Sequence, residues 1–265
     1  MHPILLQFGS FKLPTYGLLV ATGYLSGILY IFRKAGPAGF KKEPLSDLIF
    51  YSVISGMLGA KLFYAATYWK EFGYDFFSKA AYLLKSFQYG FVFYGGLIFG
   101  GAAFLITARR RKLEALKAAD LFAPALALGH AFGRIGCFMA GCCYGSPTTC
   151  PISVTFTNPA SEINPAYLGV PLHPTQLYEA AGNFIIFLLL NAALRRSLAK
   201  KLPGGAVTLL YATLYSELRF SVEFLRGDDR GAIHMGLSPA QLISAAVFAA
   251  AASVFLVLRA KHEKN

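Results

Sequence analysis

Seven times this chain runs for about 20 residues in predominantly apolar sequence, the length an α-helix needs to cross a hydrocarbon core. The windows are Pro14–Phe32, Ser46–Trp69, Gly90–Ala108, Ala118–Met139, Gln176–Leu194, Ala206–Phe224 and Leu237–Leu258. Only 14% of the 265 residues are charged, against about 25% in a soluble domain. That recurrence predicts an all-α integral membrane protein of seven transmembrane helices. The second, fourth and sixth windows are interrupted by polar residues.

The net charge of +12 would suggest nucleic acid in a soluble protein. Here its placement matters more than its size. Arg33, Lys34, Lys41 and Lys42 fill the first connection, Arg109–Lys112 and Lys117 the third, Arg195, Arg196, Lys200 and Lys201 the fifth, and Arg259, Lys261 and Lys264 the tail. The fourth connection, Tyr144–Thr175, has no lysine or arginine, and the sixth balances Arg226 and Arg230 against Asp228 and Asp229. Basic loops stay cytoplasmic, so the N-terminus is expected outside and the C-terminus inside. The second connection, Lys70–Tyr89, fits this alternation least, with three lysines. No cleavable signal peptide, repeat or soluble domain is expected. The chain reads as one membrane domain over 1–265, with 144–175, rich in Pro, Thr, Ser and Asn, as a small outer-face cap of turns and short strands.

Ionisable groups at membrane depth are costly and need a reason. Lys61 shares a helix face with Tyr64; snorkelling and a site are both open. In the sixth window Tyr215, Arg219 and Glu223 repeat at four-residue spacing and lie on one face. A structural ion pair would explain two of them, but Glu217 adds polarity off that face, which favours a polar cavity. Arg134 follows His130 by about a turn, among Gly129, Gly133, Gly136 and Gly141. Small residues allow a close helix crossing with the arginine snorkelling. The alternative is an anion clamp, because a guanidinium grips phosphate bidentately. Two intramembrane arginines on the expected outer side point to a phosphate-bearing lipid. Before the fifth window, Thr175 is a predicted N-cap and Glu179 suits the helix dipole. His173 is a base, a ligand or a loop histidine, and spacing favours the last.

Cys137, Cys142, Cys143 and Cys150 cluster at the outer end of the fourth window. A loop disulfide such as Cys142–Cys150 is the plain expectation in an oxidising compartment. Plain buried thiols, a metal site with His130 or His173 and a redox-active thiol pair are the alternatives. C-x4-C-C is not a usual zinc spacing, so no metal or cofactor is expected.

Ordered stretches across most of the chain resemble one family: "PTYGLLVATGY", "GAKLFY", "YGGLIFG", "GRIGCFMAGCCYG", "HPTQLYEA" and "YSELRFSVEFLRGDD". They are similar to the prolipoprotein diacylglyceryl transferases of the bacterial cytoplasmic (inner) membrane. The resemblance implies transfer of a diacylglyceryl group from phosphatidylglycerol to the cysteine thiol of a preprolipoprotein signal peptide. A thioether forms and glycerol phosphate leaves. It implies membrane lipid and that signal peptide as partners, and no nucleic acid. It makes Arg134 and Arg219 the cations, with Tyr215 and Glu223 in the catalytic set and Glu223 orienting Arg219. Tyr16, Lys61, Tyr94, Cys137, Cys142, Gly145 and His173 are then substrate-binding. Four positions depart from the family pattern: Tyr94 replaces a histidine, Cys137 an asparagine, Cys142 a glutamate and Lys61 an arginine. These departures leave as an alternative a paralogue with membrane thiol-redox or other phospholipid chemistry, and intramembrane charge in general also suits a non-catalytic lipid-binding or transport protein.

Overall fold

A computed structural model describes residues 1–9, 11–70, 72, 75–85, 90–228 and 236–263. Asp229, Arg230, Lys264 and parts of the second connection lie outside the described residues. The chain begins with an antiparallel hairpin, β1 (Ile4–Phe8) and β2 (Phe11–Pro14). Helices α1 (Thr15–Ala35), α2 (Lys42–Thr67), α3 (Phe76–Lys85), α4 (Phe93–Arg110) and α5 (Ala115–Ala140) follow. A short antiparallel pair, β3 (Val154–Thr155) and β4 (Pro171–Leu172), flanks a 3-10 turn at Pro165–Tyr167. Helices α6 (Thr175–Leu198), α7 (Ala206–Glu223) and α8 (Pro239–Glu263) complete it.

Each of the seven apolar windows is a helix, and the ends shift by five residues at most, Leu258 against Glu263 in α8. The helices run past the apolar limits into basic residues, such as Arg33 and Lys34 in α1. Such residues complement the dipole of a last turn. Helix α3 was not anticipated. It starts where Asp75 accepts the Ser78 backbone N–H at 3.0 Å, a local cap that apolar periodicity does not reveal. The Ser78 hydroxyl also bonds Asp75 and holds its carboxyl below the usual range.

Five helices are long and apolar enough to cross a membrane: α1, α2, α5, α6 and α8 through Leu258. Helix α4 carries Arg109 and Arg110 in its last turn, and α7 carries Glu217, Arg219 and Glu223. The burial pattern is that of a lipid-embedded chain. Leu25, Leu29, Leu58, Leu62, Leu97 and Leu188 are exposed, whereas Asp120, Gln176, Glu179, Asn183 and Glu223 are buried. In water the reverse arrangement is the rule. This is a helical, multi-pass membrane protein.

The chain divides into two compact units. One is Ala35–Ala118. There α2 and α4 meet along a glycine seam: a Cβ on Gly59 would lie 2.6 Å from the Gly95 carbonyl oxygen, and Gly96 and Gly100 face Gly56. Arg111 pairs with Asp47 at 2.5 Å. The other unit comprises Met1–Lys34 and Ala119–Asn265. Helix α1 crosses α5 closely, since a Cβ on Gly23 would lie 2.9 Å from that of Phe132. The Tyr30 hydroxyl donates to Asn191 Oδ1 at 2.9 Å, tying α1 to α6. Gly182 admits Leu218 between α6 and α7. Residues 144–175 carry their own apolar cluster of Tyr144, Phe156, Ile163 and Leu172, with Phe138 and Val170 against it.

Candidate active site

Glu179 sits in the second turn of α6 and is only 1% exposed. Three arginines converge on it. Arg134 Nε of α5 lies 2.7 Å from Oε2, Arg219 Nη1 of α7 lies 3.8 Å from Oε1, and Arg226 Nη1 lies 3.6 Å from Oε1. Neither oxygen accepts an aligned hydrogen bond, so Glu179 acts as a shared counter-charge. Each of the other two carboxylates holds one arginine. Arg219 bonds Glu223 Oε2 one turn later, and the Ser238 hydroxyl donates to Glu223 Oε1 at 2.7 Å. Arg226 forks onto Asp228, with Nε to Oδ1 at 2.8 Å and Nη2 to Oδ2. The carboxylates of Glu179 and Glu223 are 1% exposed, whereas Arg134 and Arg219 keep 21% and 17% of their side chains accessible. At Glu179 and Glu223 the cluster therefore hides negative charge and leaves two guanidiniums accessible, as an anion site requires; at the third pair the order is reversed, with Arg226 8% and Asp228 20% exposed.

Local sequence explains the convergence. Pro174 occupies the cap position of α6 without a side-chain bond, and Thr175 is the first helical residue. This corrects the expected Thr175 N-cap: its hydroxyl donates instead to the Cys143 carbonyl at 2.9 Å. Gln176 Nε2 donates to the Cys142 carbonyl at 2.8 Å. Together they fasten α6 to the loop after α5, and Glu179 follows on the same face three and four residues later. Arg226 is set by backbone pairing. Gly145 N–H donates to the His173 carbonyl at 3.0 Å, Ser146 N–H to Leu225 at 2.8 Å, and Gly227 N–H to Tyr144 at 3.1 Å. Gly145 thus lies between two strand-like segments. A Cβ there would lie 2.5 Å from the His173 carbonyl oxygen and 2.8 Å from that of Leu225. Only glycine fits this gap.

The other expected residues distribute as follows. Tyr215, one turn before Arg219, packs its ring 5.2 Å from His130 and 5.8 Å from Tyr211. His130 Nδ1 lies 2.8 Å from the Tyr211 hydroxyl. Tyr16 lies against Gly136, where a Cβ would sit 3.0 Å from the tyrosine ring. The His173 ring contacts the Tyr178 hydroxyl at 3.4 Å. Lys61 and Tyr94 belong to the Ala35–Ala118 unit. Lys61 Nζ lies 5.2 Å from the Tyr64 ring and 5.4 Å from Phe91, and Tyr94 packs against Phe93 at 5.9 Å.

The four cysteines are free thiols. The expected Cys142–Cys150 disulfide is not formed, because Cys142 turns toward its neighbours: the sulfurs of Cys137, Cys142 and Cys143 all lie within 4.8 Å of one another. Hydrogen bonds from the Cys137 and Cys142 thiols hold the Cys143 thiol well below its usual range, with Arg226 and Arg134 adding to the effect. The hydrogen bonds with Cys137 and Cys143, and burial after them, push Cys142 up.

Glu179, Arg226, Asp228 and Ser238 were not assigned to the site from sequence. Glu179 was visible as a carboxylate in an apolar window and was explained by the helix dipole. Its arginine partners come from α5, α7 and the turn after α7, which no local pattern connects.

Residues 3–257 match the sequence profile of the family described as "Prolipoprotein diacylglyceryl transferase". Two clostridial relatives are each 36% identical over 244 residues. The phosphatidylglycerol–prolipoprotein diacylglyceryl transferase of Clostridium tetani matches over 92% of this chain and 92% of its own length. The protein numbered 2 of that name in Clostridium perfringens matches over 92% and 90%. The same-named protein of Synechococcus elongatus is 33% identical over 86% of this chain and 78% of its own. By a profile match over nearly its whole length and by these identities, the chain belongs to the prolipoprotein diacylglyceryl transferase family.

Proposed function

We propose that this protein transfers a diacylglyceryl group from phosphatidylglycerol to the thiol of a preprolipoprotein signal-peptide cysteine, in the bacterial cytoplasmic membrane. The observation that carries this reading is the arginine cluster around Glu179, in which Glu179 and Glu223 are buried and the guanidiniums of Arg134 and Arg219 stay accessible. The acceptor thiol releases its proton to water, and the sulfur attacks the diacylglyceryl carbon that bears the phosphate. The carbon–oxygen bond breaks, and glycerol phosphate leaves with the electron pair. Arg134 and Arg219 stabilise the charge that gathers on the leaving phosphate. Glu223, fixed by Ser238, holds Arg219, and Glu179 keeps the arginines together by neutralising part of their mutual repulsion. Tyr215 and Tyr16 position the head group, and Gly145 lets the backbone close beside it. Cys137 and Cys142 stand at the wall of this site. Lys61, Tyr94 and His173 contribute to substrate binding, by the motif matches. Helices α4 and α7 complete seven spans, with the N-terminus outside and the C-terminus inside, supported by the alternation of Lys and Arg between loops.

The test is direct. Purified protein is incubated with phosphatidylglycerol and a lipobox peptide, and mass spectrometry seeks the thioether adduct. Arg219→Ala is expected to cut its formation about 100-fold or more. Folded wild-type protein that yields no adduct would overturn the reading.

A further inference from the structure

Three thiols stand where α5 ends. Cys137 belongs to its last turns, and Cys142 and Cys143 follow in the loop. Their sulfurs lie within 4.8 Å of one another. Zinc–sulfur bonds of about 2.3 Å set sulfurs in one coordination shell about 4 Å apart, so small side-chain rotations bring all three onto one ion. Pairing as a disulfide is less suited to Cys142 and Cys143. Adjacent Cα atoms are about 3.8 Å apart, below the usual span of about 4.4–6.8 Å.

The frame around the thiols is built in advance. The Gly141 and Cys142 N–H groups both donate to the Cys137 carbonyl, at 2.9 and 3.2 Å. The Cys142 and Cys143 carbonyls accept from Gln176 and Thr175, which are 1% and 0% exposed. Backbone conformation at Cys143 is left-handed, with φ of 60°, a cost that a non-glycine residue bears when its surroundings impose it. Outer hydrogen bonds of this kind orient metal ligands. Among the described residues the group offers three donor atoms. Three protein ligands with one open position is the pattern of a catalytic zinc site, and four is that of a structural one.

The thiols also stand beside the arginine cluster. Cys137 lies three residues after Arg134 on α5, and so on a neighbouring face. Thr175 and Gln176, which hold the thiol loop, lie one turn before Glu179 on α6. We propose that Cys137, Cys142 and Cys143 bind a thiophilic metal ion, zinc(II), whose open position takes the acceptor cysteine as a thiolate. The second half of this proposal rests on the transfer reaction above. Coordination releases the acceptor thiol proton to water. The bound sulfur then forms the carbon–sulfur bond as the carbon–oxygen bond breaks, and glycerol phosphate carries away the electron pair. Neither the zinc nor its three cysteines change oxidation state. The thioether product is neutral and a weaker ligand, so it leaves. This supplies the deprotonation that the cluster carboxylates are not placed to provide, since each already faces an arginine.

Cadmium(II) is the probe, added to metal-stripped protein and followed by its thiolate charge-transfer absorbance in the ultraviolet. One saturable equivalent is expected. Cys137→Ser, Cys142→Ser and Cys143→Ser should each weaken binding tenfold or more, and Cys150→Ser should leave it unchanged, with far-ultraviolet circular dichroism confirming helical content. Independently of any variant, bound metal should protect the three thiols, but not Cys150, from maleimide. Absence of a saturable equivalent, or binding that Cys142→Ser leaves intact, overturns the metal site. A lipobox peptide should shift the cadmium band only when it carries its cysteine; an identical shift by the serine peptide overturns the open position. If stripped protein forms adduct at the full rate, thiol activation falls while the transfer reading stands. If metal binds and no adduct forms under any loading, the transfer reading and the activation role fall while the metal site stands.

Discussion

Glu179 concentrates the electrostatics of this site in one side chain. Its carboxylate is buried among three guanidiniums, each of which needs a counter-charge at low dielectric. Removing one partner from a buried pair leaves a charge uncompensated and typically costs about 3–5 kcal/mol. Glu179→Gln keeps the volume and removes the charge. It is expected to destabilise the protein by about that amount, measured by denaturant unfolding in detergent, and to lower adduct formation at saturating phosphatidylglycerol. An unchanged midpoint would show that Glu223 and Asp228 suffice as counter-charges. From sequence, Arg134 and Arg219 were legible because a charge inside an apolar window demands a reason. Glu179 was equally visible as a residue, but a carboxylate near a helix start has a sufficient local explanation. Only its distant partners reveal that the explanation was incomplete.

At the level of elements, the helices are held by polar fasteners set into apolar surroundings. Asp120 on α5 is 1% exposed and caps α7 from a distance. Its carboxylate accepts Gly205 N–H at 2.8 Å, Thr208 N–H at 2.9 Å and the Thr208 hydroxyl at 2.9 Å. The first turn of a helix has free N–H groups and a positive dipole end, and Asp120 answers both. Asp120→Ala leaves these donors buried and unsatisfied, and should cost about 1–3 kcal/mol in the same unfolding measurement. Asp120→Asn, which keeps an acceptor, should recover part of it. Helix lengths were legible because about 20 apolar residues admit few other structures in lipid. The 10-residue α3 and the capping of α7 were not, since one depends on a short-range hydrogen bond and the other on a contact between helices remote in sequence.

For the molecule as a whole, the alternation of basic loops predicts an orientation. With Cys137, Cys142 and Cys143 replaced by serine, the native Cys150 should react with a membrane-impermeant maleimide added to intact cells. A single cysteine introduced at Lys200 in a cysteine-free background should react only after the membrane is opened. Labelling of Lys200→Cys from outside would overturn the proposed topology. This experiment separates orientation from fold, which the helices and their buried polar faces establish without reference to either side of a membrane.

By itself the sequence determined the solvent of this protein, the number and placement of its long helices, and the identity of two charges with no cheap reason to be buried. Those properties follow from composition within one window, where each residue's environment is set by its near neighbours and by lipid. Tertiary structure decided how the charges are shared. Glu179 joins arginines from three parts of the chain, Gly145 is wedged between two backbones, and Cys142, for which a loop disulfide with Cys150 is the expectation from sequence, joins Cys137 and Cys143 in one cluster. Each depends on which helices pack together and in what rotation, a property of the packed bundle that no single window contains.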